Sequence, residues 1–199
     1  ILYQKQQHED FKNQIDKIQN SVKSMTKLLD DVLLIGEKRI DKSQIQITNF
    51  DLLPLSKLII DEMKYFDKGR HTYQMIAPFE SIVLRSDENL VRYIVINLLS
   101  NATKYSEENT IIQMKINETD NHVLIQIIDY GIGIPENEKH NLFQPFHRSK
   151  NVGAISGTGL GLAVVKSHVD ALNGEIKVLS KENQGTTFEV VLPKVHRID

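Results

Sequence analysis

Two asparagines four residues apart, Asn97 and Asn101, stand in the run Asn97-Leu98-Leu99-Ser100-Asn101-Ala102-Thr103-Lys104-Tyr105. On a helix that spacing puts both side chains on one face. Asparagine is a mediocre helix former, and the residues around this pair are apolar, so the pair asks for a reason. Two amide oxygens aligned on a buried-side face suit a hard, oxygen-seeking cation such as Mg²⁺ held together with phosphates. Lys104 lies one more turn along, where an ammonium would meet phosphate. The bland alternative is that both asparagines satisfy neighbouring backbone groups, and for two asparagines alone that alternative wins.

Three further clusters follow in order. Asp129 ends an apolar run (Val123, Ile125, Ile127, Ile128) and precedes Gly131-Ile132-Gly133-Ile134-Pro135. A carboxylate at a strand end can accept from an amino group such as that of adenine, and the glycines let the backbone approach a flat ring. Taken alone it is an ordinary turn. Gly157-Thr158-Gly159-Leu160-Gly161-Leu162 opens a helical pattern. Amides at a helix start form an anion site, and glycines remove the side chains that would keep phosphate away. The spacing is neither the dinucleotide fingerprint nor a P-loop. Lastly, Gly185-Thr186-Thr187-Phe188 begins a strand in which Thr186, Phe188, Val190 and Leu192 share one face, so Thr186 points inward. Its hydroxyl could reach a base or simply bond to backbone.

The elements that must position these clusters are legible from periodicity and turn residues. Gln44–Phe50 alternates as a strand, and Pro54 suits the first turn of a helix running to about Asp67. His71–Ala77 and Ser81–Arg85 read as strands. Asp87 caps a helix through about Lys104, and strands near Thr110–Asn117 and His122–Asp129 meet at an Asp120-Asn121 turn. A loop-rich stretch from Tyr130 to Gly157 leads into a helix from about Thr158 to Leu172. A strand pair, Gly174–Leu179 and Thr186–Leu192, closes the chain. The implied class is α+β, a two-layer sandwich with three helices on one face of a mostly antiparallel sheet. From Gln144 to Gly157 there is no acidic residue, yet the stretch holds His147, Arg148 and Lys150, a composition suited to closing over a triphosphate.

The first forty residues obey another rule. Phe11, Ile15, Ile18, Val22, Met25, Leu29 and Val32 recur at steps of four and three, a heptad seam. Leu28, Leu33 and Leu34 widen the stripe toward a helical bundle. One amphipathic helix packed on its own domain remains the alternative. Residues 1–40 are thus expected to be a helical appendage, and 41–199 a single domain.

Composition narrows the classes further. The formal net charge of −2 offers no general attraction to nucleic acid or to an anionic membrane. No apolar run reaches the length of a bilayer span, so any membrane link is expected to lie in segments outside these residues. The chain has no cysteine, which excludes disulfides, thiolate metal sites and cysteine nucleophiles, and fits a cytoplasmic location.

Together the four clusters resemble, in order and spacing, the N, G1, G2 and G3 boxes of bacterial-type sensor histidine kinase catalytic domains. Phe143-Gln144-Pro145-Phe146 resembles the F box between G1 and G2. The resemblance implies the Bergerat ATP-binding fold, with ATP and Mg²⁺ as cofactors. It implies that Asn97 and Asn101 organise Mg²⁺ and the phosphates, that Lys104 contacts phosphate and that Tyr105 packs near the adenine. Asp129 would accept from the adenine amino group, with Gly131 and Gly133 shaping the base pocket and Thr186 facing the base. The amides of Gly157, Thr158, Gly159, Leu160 and Gly161 would hold phosphates beneath a mobile lid over roughly Gln144–Ser156, with Phe146 at its root. Arg148 resembles the family's lid arginine and is the choice for stabilising charge on the γ-phosphate. Asn97, Lys104 and Arg148 form the implied catalytic set.

The segment Met25-Thr26-Lys27-Leu28-Leu29-Asp30-Asp31-Val32-Leu33-Leu34-Ile35-Gly36-Glu37 resembles the second helix of the dimerisation and phosphotransfer bundle. The implied partners are a second copy of the chain, a first bundle helix bearing the phospho-acceptor histidine, and a response-regulator receiver domain. His8-Glu9-Asp10-Phe11-Lys12 lacks the proline-bearing context of an acceptor, so His8 is read as a surface histidine. The chain is expected to bind ATP but not to phosphorylate itself. Water-using ATPases of this fold place Glu where this chain has Asn97, because water attack needs a base and an amide cannot accept a proton near neutral pH. That contrast favours the kinase over an ATPase of the same fold, the intact boxes favour it over a silent ATP-binding module, and the heptad helix over Phe11–Val32 speaks against a serine kinase of the anti-sigma-factor type.

Overall fold

The computed structural model describes residues 45–153, 155 and 157–196, together with Gln14, Ile15, Met25 and Thr26. The chain divides into two units, residues 1–38 and 39–199. Within the first unit the four described residues are helical. The remainder of the expected heptad seam, and His8, lie outside the described residues.

The second unit begins with β1 (Thr48–Asp51), α1 (Leu52–Asp67), β2 (Thr72–Ile76), β3 (Val83–Ser86) and α2 (Glu88–Tyr105). It continues with β4 (Ile111–Glu118), β5 (His122–Asp129), α3 (Gly161–Ala171), β6 (Glu175–Ser180) and β7 (Thr186–Pro193). Two 3-10 turns, Glu136–Asn141 and Lys150–Val152, interrupt the stretch expected as plain loop.

Both leading helices start on aspartate caps that do more than cap. The Asp51 carboxylate accepts from the Leu53 amide at 3.0 Å and from the Ile82 amide at 3.1 Å, tying the start of α1 to the approach of β3. Asp87 accepts from the Asn89 and Leu90 amides at 2.9 and 3.1 Å through one oxygen, and from the Gln46 amide at 2.8 Å through the other. Satisfying orphan amides in this way stabilises each helix by about 1 kcal/mol.

The main sheet has five strands in the order β2-β4-β5-β7-β6, antiparallel throughout except for the parallel pair β2–β4. The expected Gln44–Phe50 strand is shorter and shifted. β1 leaves the main sheet and pairs antiparallel with β3 alone, because Asp51 turns the chain directly into α1. Along β5, Val123, Ile125, Ile127 and Asp129 are the buried set, and along β7 it is Thr186, Phe188, Val190 and Leu192. The two-residue period therefore sends Asp129 and Thr186 inward with the core, and register pairs them directly. Val91, Ile94, Val95, Leu98, Leu99 and Ala102 give α2 its buried stripe, at helical spacing. Burying each larger side chain contributes about 1.5–3 kcal/mol. That anchorage holds the polar residues of α2 in register above the sheet.

Candidate nucleotide site

The four clusters meet where the end of α2, the start of α3 and the ends of β5 and β7 converge. Asn97 is buried, and its Nδ2 donates to the Tyr93 carbonyl one turn back, at 3.0 Å. That bond fixes the amide's orientation. A Cβ added at Gly161, the first residue of α3, would stand 3.2 Å from Asn97 Oδ1. The N box and the glycine-rich turn are thus in direct apposition. Asn101 lies one turn further along α2 and is half-buried.

Lys104 and Tyr105 form the next part of the wall. Lys104 Nζ donates to the Tyr105 hydroxyl at 3.1 Å and sits 4.7 Å from that ring's centre. A Cβ at Gly157 would come within 2.5 Å of Lys104 Nζ. A side chain there would displace the ammonium.

The Gly131 turn packs against the end of α2. A Cβ at Gly131 would lie 2.0 Å from the Tyr105 carbonyl oxygen, to which the Ile132 amide donates at 3.1 Å. Only glycine allows that approach. Asp129 accepts from the Gly131 amide at 2.9 Å. Burial pushes its carboxyl up to about 6, against the opposing pull of the Gly131 and Thr186 amides. Desolvation dominates, so this acid sits in a site that asks for a donor.

Ser180, which the sequence reading did not single out, ties G1 to G3. Its hydroxyl accepts from the Ile134 amide at 2.9 Å, donates to the Gly185 carbonyl at 2.7 Å and lies 3.0 Å from Thr186 Oγ1. Thr186 is therefore inward-facing as expected, with its hydroxyl engaged by Ser180. A serine at the end of an exposed-looking strand carries no sequence signal. Its partners are fixed only by strand pairing.

The helix expected from Thr158 begins at Gly161 instead. Gly159 takes φ +75°, and a Cβ there would meet the backbone of Phe146 and His147 at 2.7 Å. The glycine turn is held in an irregular loop beneath that backbone. Thr158 Oγ1 accepts from the Leu160 amide at 3.2 Å, and Leu160 is buried. Phe146 has φ +63° and is 68% exposed. Arg148 is exposed, and its guanidinium donates to the Ile155 carbonyl within its own segment. Phe146 and Arg148 thus stand with their side chains outside the wall formed by Asn97, Lys104, Tyr105 and Asp129.

Asp87 stands at the far N-terminal end of α2, with its carboxylate oxygens taken by backbone amides. It is not placed to act as a base beside Asn97. His168, buried in α3, packs edge-on to Tyr93 with ring centres 4.5 Å apart. Burial depresses the His168 imidazole to about 4, opposed by the Asp87 charge, so it is neutral near pH 7. Among the described residues no cluster of His, Asp or Glu could hold a metal, and no helix is long and apolar enough to cross a membrane.

Comparison with known proteins agrees with this geometry. Residues 86–196 match the family described as histidine kinase-, DNA gyrase B- and HSP90-like ATPases. The sensor histidine kinase YvrG of Bacillus subtilis is 32% identical over 189 residues, covering 94% of this chain and 32% of the relative. The sensor histidine kinase WalK of the same organism is 30% identical, covering 88% of this chain and 29% of the relative. The chain spans about a third of the length of these relatives. Among solved structures, a mycobacterial sensor histidine kinase, MprB, superposes with a TM-score of 0.67 at 26% identity, over 73% of this chain and 97% of that one. The nucleotide-free catalytic domain of the histidine kinase ThkA gives 0.66 at 26% identity, over 75% of this chain and 99% of that one. The chain belongs to the family of histidine kinase-, DNA gyrase B- and HSP90-like ATPases, and residues 86–196 are a catalytic ATP-binding domain of the sensor histidine kinase type.

Proposed function

We propose that this domain binds ATP·Mg²⁺ and transfers the γ-phosphoryl group to a histidine on a bundle helix, for relay to an aspartate of a response-regulator receiver domain. The observation that carries the proposal is the apposition of the Asn97 amide and the Gly161 turn. An amide, not a carboxylate, stands where the glycine-rich turn would bring the phosphates.

The residues fit the metal ion. The Nδ2 of Asn97 is committed to the Tyr93 carbonyl, which turns its oxygen toward the phosphate turn. Asn101 adds a second amide one turn on, and such oxygens with phosphates and water suit Mg²⁺. When bound, the ion would offset phosphate charge. In this reading Lys104 and the amides of Gly157, Thr158, Gly159, Leu160 and Gly161 hold the phosphates. Asp129 accepts from the adenine amino group, Gly131 and Gly133 form the floor of the base pocket, and Tyr105, Phe146 and Thr186 border it. Arg148 meets charge on the γ-phosphate after leaving the Ile155 carbonyl.

The acceptor imidazole supplies the nucleophile. Its nitrogen bonds to the γ-phosphorus, the bond to the β–γ bridging oxygen breaks, ADP leaves and the ring proton goes to solvent. No base is needed on the ATP side, which fits Asn97. Residues 1–40 are the second helix of a homodimeric bundle in this account, with 41–199 the catalytic domain, working in the cytoplasm. Incubating the chain with ATP, Mg²⁺ and a separately made helix bearing the acceptor histidine should yield acid-labile phosphate on that helix. Nucleotide binding with no transfer to any such helix would favour the silent module.

A further inference from the structure

We propose that Glu138 is a positioning residue for the phosphate end of the site, acting through His147; the inference rests on the ATP-binding reading above. Glu138 lies in the 3-10 turn Glu136–Asn141, between the Gly131–Pro135 turn and the Phe143–Phe146 box. It is buried, although its turn is otherwise charged and solvated. Its carboxylate meets His147 Nε2 at 3.0 Å, with the two side chains 10% and 18% exposed. Burying a carboxylate without a partner costs far more than leaving it in water, so such a pair persists where the surroundings require it.

What His147 holds explains the requirement. Its carbonyl, with the Phe146 backbone, covers the glycine turn so closely that a Cβ at Gly159 would stand 2.7 Å away. Phe146 itself is held at φ +63°, a left-handed conformation that a bulky non-glycine residue rarely adopts and that lasts only when its neighbours impose it. The next side chain is Arg148. Glu138 thus fixes, through one imidazole, both the strained backbone resting on the glycine turn and the starting point of the arginine. Neither Glu138 nor His147 has a place in the adenine wall of Asp129, Gly131 and Thr186.

The consequence is selective. Loss of the pair should disturb contacts to the terminal phosphate and spare those to the base. The test compares ATP and ADP affinity, by calorimetry with Mg²⁺, for the chain as it stands and for Glu138→Ala, Glu138→Gln and His147→Leu. Glu138→Ala and His147→Leu should weaken ATP by roughly tenfold and ADP by less than about threefold, closing the gap between the two nucleotides. Glu138→Gln, which keeps an acceptor, should fall between these and the parent. The exchanged pair Glu138→His with His147→Glu should recover much of the discrimination. Equal losses for ATP and ADP, or none, in variants that melt like the parent would overturn the positioning role. Failure of the unaltered chain to bind either nucleotide would instead overturn the ATP-binding reading.

Discussion

The Asn97 amide oxygen of α2 faces Gly161 at the first turn of α3 so closely that a Cβ added at Gly161 would stand 3.2 Å from it. Two helices that pack through apolar stripes therefore touch through a polar atom at the point where the phosphates are expected. The contact makes the identity of residue 97 a statement about chemistry.

Asn97→Glu should both harm and convert the site. It removes the Nδ2 bond to the Tyr93 carbonyl and adds a negative charge beside the phosphates, so ATP affinity should drop by at least about tenfold. It also supplies the base that water attack lacks, so phosphate release per bound nucleotide should rise. Asn101→Ala should lose Mg²⁺-dependent binding with no such gain. Phosphate release normalised to occupancy reads both. Robust hydrolysis by the unaltered chain would contradict the kinase assignment.

With its carboxyl raised by burial to about 6, Asp129 should make ATP binding and apo stability respond oppositely to pH. Adenine needs the ionised acceptor, so affinity should fall as pH drops through about 6. Stability runs the other way. The folded state holds this proton up to about 6 while the unfolded chain releases it near 3.8, so the contribution is present at low pH and lost as pH rises through about 6. The difference is of the order of 3 kcal/mol at most. Asp129→Asn should therefore lose about tenfold or more in ATP affinity while its pH-stability curve flattens across this window. Titration calorimetry between about pH 5 and 8, and melting from about pH 3.5 to 7, would show both, and unchanged ATP affinity would remove Asp129 as the adenine reader.

His168 has the opposite linkage. Its folded value near 4 lies below the ordinary 6.5, so the unfolded chain takes up a proton first. Its contribution is present above about 6.5 and lost as pH falls through about 4. His168→Phe keeps an aromatic edge for Tyr93 and removes the titration. The acid unfolding midpoint should move to lower pH in this variant, as followed by circular dichroism.

Glycine positions in the site should separate sharply. Gly131→Ala drives a methyl into the Tyr105 carbonyl, and Gly185→Ala does the same to the Asp129 carbonyl at φ +89°. Each should cost at least about 2 kcal/mol in urea unfolding, since backbone must move. Gly157→Ala meets only the end of the Lys104 side chain. Stability should change by less than about 0.5 kcal/mol, with ATP affinity reduced because the ammonium is displaced.

The sequence by itself determined the helix bearing Asn97 and Asn101, its Asp87 cap, the His122–Asp129 strand and the inward parity of Thr186. Each of these follows from a local period or a local cap, where a few neighbouring residues fix the answer. It also carried the ordered glycine clusters, because close backbone approach leaves a glycine behind as its trace. Only the tertiary structure decided that β1 leaves the main sheet, that β2 joins β4 in parallel and that α3 starts at Gly161 and not Thr158. The same holds for Ser180 bridging Ile134, Gly185 and Thr186, and for Glu138 meeting His147. Those features depend on which strand lies beside which and on what backbone covers a turn. Serine and glutamate have the same local preferences whether they face water or a partner brought in from elsewhere in the chain. The partner, supplied by packing, makes the difference.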